Sequence, residues 1–542
     1  MGSVVLTFTS GANDLAVAAN KLTGGTITSI TLQADGANVF HLSGLSVGAT
    51  AVQALLDTGA DNARDALFSA VFASAATVFQ SPADGPISAF GSAAADEFFL
   101  NGSDGFNYVW TGGGQDTVHG SDGNDFVDYS ASNQAVTVNF AAGTVVKSDT
   151  TSLGTFDSKV ELIAGSDFAD TFIGDDRNNG MFGNAGDDTL NGSGGNDNLN
   201  GGDGNDSLNG GSGDNYYQGG KGKDSYTGGN ADGDDQWDKI SYEREDGGTG
   251  ITATYKGNGK VTVVDTYGNT EKGTGIEEVK GSQWKDLFTG SSGGESAEGM
   301  GGADTFKMGG GRDQVDYQHE EDAGTTRGVI VNLSTASIQA NIGFGTKTVK
   351  AGKALDSFGK TDTLESVEEI TGTQQRDHMV GGNGSNWFNG QGGNDKLIGN
   401  GGEDFFNGDD GKDTIDGGTG EDHMDGGKGK DVFTGGTGED DFNFNFMGNA
   451  DADTITDFKS GEDEIWLWDD AFGLGSGKFL QNKQFLAADG ATEATKAAHR
   501  VVYDSKSGKL FFDHDGKDGD DAVLVAILKG GVELHASDIQ LG

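Results

Sequence analysis

A nine-residue pattern recurs along the chain and constrains its fold more than any other feature. Residues 201–209 read GGDGNDSLN, 210–218 read GGSGDNYYQ and 219–227 read GGKGKDSYT. The unit is G-G-x-G-x-D-x-Φ-x, where Φ is apolar or aromatic. In-phase units fill four blocks, 102–128, 165–227, 281–316 and 372–443, with 3, 7, 4 and 8 units, 22 in all. A further unit bearing Gly91, Ser92 and Asp96 precedes the first block, two residues out of phase. A short fixed period marks a solenoid, in which no repeat can bury its apolar face alone and stacking neighbours build the core.

Two columns carry the pattern. Position six is Asp in 17 units: Asp116, Asp125, Asp170, Asp188, Asp197, Asp206, Asp224, Asp286, Asp304, Asp313, Asp377, Asp395, Asp404, Asp413, Asp422, Asp431 and Asp440. It is Asn at 107, 179, 215 and 386, and Glu at 295. Position eight is apolar or aromatic, as in Val109, Leu190, Leu199, Leu208, Phe306, Ile415 and Phe433, with Ala297 the smallest. Each unit therefore reads as a six-residue polar turn followed by a three-residue strand whose middle side chain points inward. Two units make an 18-residue coil. The core such coils enclose is thin, and its apolar area is small against the ordering cost of so many glycines. Something besides apolar burial has to hold the turns.

Charge says what that is. The chain of 542 residues has 85 Asp and Glu against 35 Lys and Arg, a net charge of −50. That balance argues against nucleic acid or an anionic membrane as partner. The 96 glycines with only 2 prolines exclude a collagen-like chain and suit repeated tight turns. With no cysteine, neither disulfides nor thiolate metal sites are available. No apolar run reaches membrane-spanning length; Ala66 to Phe79, the longest, reads as a packed helix. The absence of Lys or Arg before Lys21 leaves out the charged start of a cleavable signal peptide.

Three interruptions share a grammar. Each begins after D-x-Φ-x-Y, at Asp125 to Tyr129, Asp238 to Tyr242 and Asp313 to Tyr317. Each holds a strand-like run: 135–140, 251–255 or 328–333. Each closes on Φ-E-x-Φ-x-G-[ST]-x-x-x-D, from Val160 to Asp170, Ile276 to Asp286 and Val367 to Asp377. They are expected to be longer β-coils or hairpins continuing the stack. The expected organisation is an N-terminal cap or assembly segment (1–90), repeat blocks at 91–128, 165–237, 281–316 and 372–450, interruptions at 129–164, 238–280 and 317–371, and a β-rich C-terminal cap (451–542). The cap at 1–90 is small α+β, with strand-like runs from Val4 to Thr9, Thr26 to Leu32 and Asn38 to Leu42, and helix-like segments near 50–57 and 62–79. The fold class is all-β, a parallel β-roll or β-solenoid.

Calcium takes roughly six to eight hard oxygen ligands at about 2.3–2.6 Å, mixing carboxylates with carbonyls. The turn offers both: glycines let the backbone curl its carbonyls inward, and the position-six carboxylate points the same way. Stacked turns can then hold an ion between them, and this glycine–aspartate spacing is a calcium-binding β-helix signature.

The units resemble the RTX, or hemolysin-type, calcium-binding repeats, over about residues 90–542. The resemblance implies that the position-six aspartates and turn carbonyls ligate calcium, above all at Asp188, Asp197, Asp206, Asp224, Asp395, Asp404, Asp413, Asp422, Asp431 and Asp440. One ion per same-side pair of turns gives roughly 15 calcium ions, which would cancel about 30 of the excess negative charges. Sites at Asn179, Asn215, Asn386 and Glu295 are expected to be weaker or missing. Residues 451–465 and 501–516 resemble the ends of RTX proteins exported by type I secretion, the serralysin group among them. That implies an uncleaved C-terminal export signal, recognised by the type I secretion machinery, and an extracellular or cell-surface location where calcium drives folding.

No catalytic constellation accompanies the repeats. H-E-x-x-H does not occur, and His378 and His423 fall at outward position seven. The G-x-S-x-G string at Gly290 to Gly294 is in phase with the repeats and lacks the strand–turn–helix context of a nucleophile elbow. Asp513, Asp515 and Asp518 do not have EF-hand spacing. No long hydrophobic region of the kind a pore-forming toxin needs is present. Trp387 and Trp110, at outward positions, could stack on sugars or enter a protein contact. The expectation is a non-enzymatic, self-assembling homo-oligomer or polymer of a surface layer, matrix or filament. The alternative is an enzyme acting on extracellular polysaccharide, or a sugar-binding adhesin whose partner is a cell-surface polysaccharide. A convergent acidic cleft with a Lys, Arg or Tyr in an interruption would favour that alternative.

Overall fold

The computed structural model describes Gly2–Phe8, Thr26–Ala34, Ala37–Gly48 and Val78–Gln80 as backbone, and then 88–542 apart from 92, 101–105, 230–235, 449, 475–478 and 518–520. The chain forms two compact units, one of residues 1–246 with 258–277, the other of 247–257 with 278–542.

In the first unit, successive nine-residue repeats alternate between two parallel stacks. Thr171–Ile173, Thr189–Asn191, Ser207–Asn209 and Ser225–Thr227 pair in register. Leu162–Ala164, Gly180–Ala185, Asn198–Asp203 and Tyr216–Lys221 form the opposing stack. Each strand pairs with the one 18 residues on, as the coil length requires. Position eight is the buried middle of every strand, as in Leu190, Leu199 and Tyr217 at 0 % exposure. The second unit repeats the scheme, with Lys396–Gly401, Thr414–Thr419 and Val432–Thr437 on one side and Trp387–Asn389, Phe405–Asn407, His423–Asp425 and Asp441–Phe444 on the other. On one side of each unit, strands run six residues into the following turn, longer than the three the pattern predicts. The turns themselves also pair, Gly392–Gly393 with Asp410–Gly411 and Asp410–Gly411 in turn with Lys428–Gly429.

That close stacking explains the glycine positions. Gly420 has φ +133°, and a Cβ there would fall 1.6 Å from the Gly402 carbonyl oxygen one coil below. Only a residue without a side chain lets one turn settle onto the next.

The interruptions continue the stacks. In the first, Val136–Asn139, Thr144–Lys147 and Ser152–Phe156 form an antiparallel meander. Its last strand runs parallel to Asp116–His119 and its first to Thr171–Ile173. In the second, Lys260–Val264 and Thr270–Thr274 form a hairpin whose return strand pairs with Ser225–Thr227. In the third, Ile330–Asn332, Lys353–Leu355 and Thr361–Glu365 repeat the meander between Thr305–Lys307 and His378–Val380.

Beyond the last repeat the roll does not stop where the pattern stops. Asp453–Ile455 and Glu464–Leu467 add another coil, covered in turn by Val523–Leu528 and Ile539–Leu541. The antiparallel strands Val501–Asp504 and Lys509–Phe512 complete a β-rich C-terminal cap. Near the N-terminus, Gly2–Phe8, Thr26–Ala34 and Ala37–Gly48 are strands. Val78–Gln80 is also a strand, so the helix expected over 62–79 does not extend to its end; 49–77 lie outside the described residues. No helix among the described residues is long and apolar enough to cross a membrane.

Phe433 is fully buried, with the rings of Phe442 and Phe444 at 5.9 and 6.3 Å. Phe433→Ala is expected to destabilise the calcium-loaded protein by about 3–5 kcal/mol, read from denaturant unfolding at fixed calcium. A change under about 1 kcal/mol would mean the thin core contributes little there.

Candidate calcium sites

The position-six side chains form continuous ladders. The Asp188 N–H donates to Asp206 Oδ1 and the Asp206 N–H to Asp224 Oδ1, both at 2.8 Å. In the second unit the N–H of Asp377 donates to Asp395, Asp395 to Asp413 and Asp413 to Asp431, each at 2.7 Å. The opposing row runs Asn386, Asp404, Asp422, Asp440 at 2.7, 3.0 and 3.2 Å. One carboxylate oxygen is thus spent on stitching coil to coil.

The other oxygen has no partner. The Oδ2 atoms of Asp188, Asp197, Asp206, Asp224, Asp304, Asp313, Asp395, Asp404, Asp413, Asp422, Asp431 and Asp440 are buried and accept no hydrogen bond. A buried, unpaired carboxylate oxygen is costly and calls for a cation. The position-one glycine makes the room. A Cβ on Gly183 would lie 2.2 Å from Asp188 Oδ2 and 2.5 Å from the Gly201 carbonyl oxygen. At Gly399 the same atoms are Asp404 Oδ2 at 2.1 Å and the Gly417 carbonyl oxygen at 2.6 Å. A carboxylate oxygen of one turn and a carbonyl oxygen of the next therefore lie side by side, a hard-oxygen pairing that suits calcium. Among the described residues no three His, Asp or Glu side chains stand in a metal-binding arrangement. Each position-six carboxylate would have to be completed by turn carbonyls.

The remaining aspartates of the pattern differ. Asp170, Asp286 and Asp377 close the interruptions, and the Ser or Thr at position two bonds their carboxylates, as Ser166 Oγ does to Asp170 Oδ1 at 2.8 Å. Their Oδ1 atoms also accept the N–H of Val136, Ile251 or Val329, each at 2.6 Å. Asp125 is held likewise by Ser121 and by Asn107. Asp116 accepts the Asp96 N–H at 2.8 Å. The asparagines keep the ladder: Asn215 Oδ1 accepts the Asp197 N–H at 3.0 Å. Glu295 turns back onto Ser291.

Four ladder members fall outside the nine-residue phase. Asp238, Asp362, Asp453 and Asp463 accept the N–H of Asn215, Asp304, Asp431 and Asp440. Each begins a D-x-Φ triplet, ending at Ile240, Leu364, Ile455 or Ile465, and that triplet is the signal that finds them.

The outward aromatics are already occupied. Trp387 stacks on Phe405 at 5.0 Å, and the Arg312 guanidinium covers it at 5.0 Å. Trp110 sits 6.4 Å from Phe90. His423 stacks on Phe405 and reaches Asp441 at 2.8 Å. His378 is half-buried, and burial pulls its imidazole down to about 4.

Burial raises the ladder carboxyls against the N–H bonds that lower them: Asp188 to about 8, Asp404 and Asp413 to about 7, Asp224 and Asp422 to about 6. A carboxyl raised on folding favours the folded chain at low pH and loses that advantage as pH climbs through the shifted value. Without calcium, β-structure is therefore expected to be greater at about pH 5 than at about pH 8. Calcium should restore it at about pH 8, with the half-saturating concentration at least about tenfold higher at pH 5.5, where protons compete for the same oxygens. Far-UV circular dichroism titrations read both; full β-structure at pH 8 in a calcium chelator would contradict the account.

Comparison with known families matches the model of the RTX calcium-binding nonapeptide repeat (4 copies) at residues 99–127, 164–199, 191–226, 371–406 and 407–442. The block at 281–316, with Glu295 and Ala297, lies outside these matches. No curated protein sequence matches the chain. Among solved structures, it is similar to the AlgE6R3 subunit of the Azotobacter vinelandii mannuronan C5-epimerase, at 23% identity over 31% of this chain and 78% of that one, TM-score 0.18. It is also similar to the extracellular lipase LipA from Serratia marcescens, at 16% identity and TM-score 0.17, covering 69% of this chain and 40% of the lipase. The ladders, the glycine cradles and the family match agree: the chain carries several copies of the RTX calcium-binding nonapeptide repeat.

Proposed function

We propose that the protein is a secreted structural component that folds when calcium enters its turns and then assembles with copies of itself into a layer, matrix or filament. One observation carries the calcium step: twelve position-six aspartates each bury an oxygen with no partner. These atoms are the proposed ligands. At roughly one ion per same-side pair of turns, about 15 ions would bind. Export by a type I machinery would deliver the chain unfolded from calcium-poor cytosol, and binding outside would supply the folding free energy. The assembly step is supported by how completely repeats and repeat-like coils fill the described chain. A roll that stacks on its own ends joins heterologously and stays open-ended.

Negative-stain electron microscopy of the chelator-treated protein, before and after calcium is restored, tests both steps. Sheets or filaments are expected only with calcium. Folded but dispersed particles would remove the assembly role and leave calcium-triggered folding in place.

A second reading has its own observation. A polar groove of about 300 Å³ in the first unit is lined by Asn200, Gln218, Lys221, Arg244, Glu245 and Tyr267 among others. Amides, cations, an acid and an aromatic face suit a hydroxylated ligand such as an acidic polysaccharide. If that reading holds, Arg244→Ala with Tyr267→Ala should weaken retention on acidic polysaccharide at least about tenfold while leaving the calcium-induced circular dichroism change intact. Equal retention of the variant and the parent would remove it.

A further inference from the structure

The second and third interruptions return to the stack by matching routes. In the first unit the chain leaves at Tyr242, and the Glu245 N–H bonds back to the Tyr242 carbonyl. It turns at Asp265, whose N–H meets the Asn269 carbonyl at 3.0 Å, and returns with Lys272 opposite Ser225. Glu271 thereby comes beside Asp224. In the second unit Glu320 bonds back to Tyr317, Asp356 makes the same turn onto Lys360 at 3.1 Å, and Thr363 returns opposite Thr305. Asp362 thereby comes beside Asp304. A tyrosine, a glutamate three residues on, a turn aspartate and an acid six residues later recur in order.

Both routes gather acids in the interior. Asp224, Glu245, Asp265 and Glu271 are 1–6 % exposed, and Asp304, Glu320, Asp356 and Asp362 no more than 1 %. Tyr226 and Tyr242 donate to Glu271 Oε2 at 2.9 and 2.6 Å. Thr266 Oγ1 donates to Glu245 Oε2 at 2.7 Å, and the Ser357 N–H to Glu320 Oε2 at 2.9 Å. Tyr317 donates to Asp362 Oδ2 at 3.3 Å. These bonds fix one side of each carboxylate. Glu245 Oε1, Glu271 Oε1 and Asp224 Oδ2 remain buried without a partner, as do Glu320 Oε1, Asp356 Oδ2 and Asp304 Oδ2. The carboxyls of Asp224 and Glu271 are within hydrogen-bonding reach of each other. Two carboxylates in contact need a proton or a metal ion between them. Burial, then the charge of Asp224, pushes Glu271 to about 10; burial, then the charge of Asp362, pushes Asp304 to about 10. Lys360 offsets some of this at Asp356.

The first interruption makes the same excursion without the acids. Ser132 bonds back to Tyr129 where the others have glutamate, Lys147 takes the turn position, and Gly154 lies opposite Asp116. The hairpin therefore packs onto the stack without supplying an acid at any of these positions, and the acids of the other two serve another end.

Resting on the calcium-filled turns proposed above, we propose that each acidic group is a divalent-cation site, filled by calcium outside the cell, in which a position-six aspartate at the end of a repeat row is joined by acids that an interruption supplies: Asp224 by Glu245, Asp265 and Glu271 in the first unit, Asp304 by Glu320, Asp356 and Asp362 in the second. No three of these acids already stand in a metal-binding arrangement; the ion draws the unpartnered oxygens together. Hard carboxylate oxygens without sulfur or imidazole select calcium over softer metals. Each ion ties the return strand of an interruption to a distant coil, as Asp362 to Asp304, 58 residues apart in sequence.

Crystals of the full chain grown in calcium and exchanged into terbium test this by anomalous scattering. Peaks are expected beside Glu271 and beside Asp362, in addition to those along the turns. Peaks along the turns with none at either group would overturn the proposal and leave the turn sites standing; no peaks at all would overturn both. In solution, E271Q and D362N should each bind about one ion fewer than the parent by equilibrium dialysis, with the calcium-induced circular dichroism change retained. An unchanged ion count in both variants would show that a shared proton, not a metal, settles the two groups.

Discussion

Everything in this fold hangs on the two oxygens of the position-six carboxylate. One accepts the N–H of the equivalent residue a coil away, and the chain of such bonds sets the vertical spacing and the register. The other is left buried and charged against the glycine of position one. The first contact favours stacking and the second opposes it until a cation arrives. A thin core of single side chains such as Leu190 and Ile415 is too small to settle the balance alone. If calcium fills the turns as proposed, it is part of the folding equilibrium in the same sense as the apolar core.

Much of this is legible in the sequence because it is local and periodic. Glycine at position one, aspartate at six and an apolar residue at eight specify a turn, a ladder and an inward strand within nine residues. The parallel roll and the inward column follow from spacing, and the resemblance of the units supplies the family of the repeats. What spacing could not show is which aspartates keep a free oxygen. Asp170, Asp286 and Asp377 have the right position, yet a Ser or Thr four residues earlier and an N–H from a hairpin satisfy them. The G-[ST] step that marks the end of each interruption is the visible trace of that difference.

Ladder members such as Asp362 and Asp463 escape the pattern for a related reason. Insertions change the number of residues per coil but not the height of a coil, so the chain must return with an acid at the same level whatever its sequence distance. Asp304 and Asp362 are 58 residues apart and bonded as closely as neighbours 18 apart. Long-range partners of this kind carry no period. Only the short D-x-Φ triplet survives as a local signal.

The three interruptions show how far one route can be varied without leaving the roll. All begin at a buried tyrosine, Tyr129, Tyr242 or Tyr317, which plugs the coil where the narrow repeat opens into a wider excursion. All return parallel to the strand they left behind. At the matching positions the first has Ser132 and Gly154, the other two carboxylates. A neutral interior is stable in any medium, whereas an acidic one is stable only with protons or metal ions. If calcium fills the turns and the two acidic groups as proposed, the chain grades its dependence on it along its length: turns with a free carboxylate oxygen need the ion, turns capped by Ser or Thr do not, and the two acidic excursions extend the need beyond the repeats.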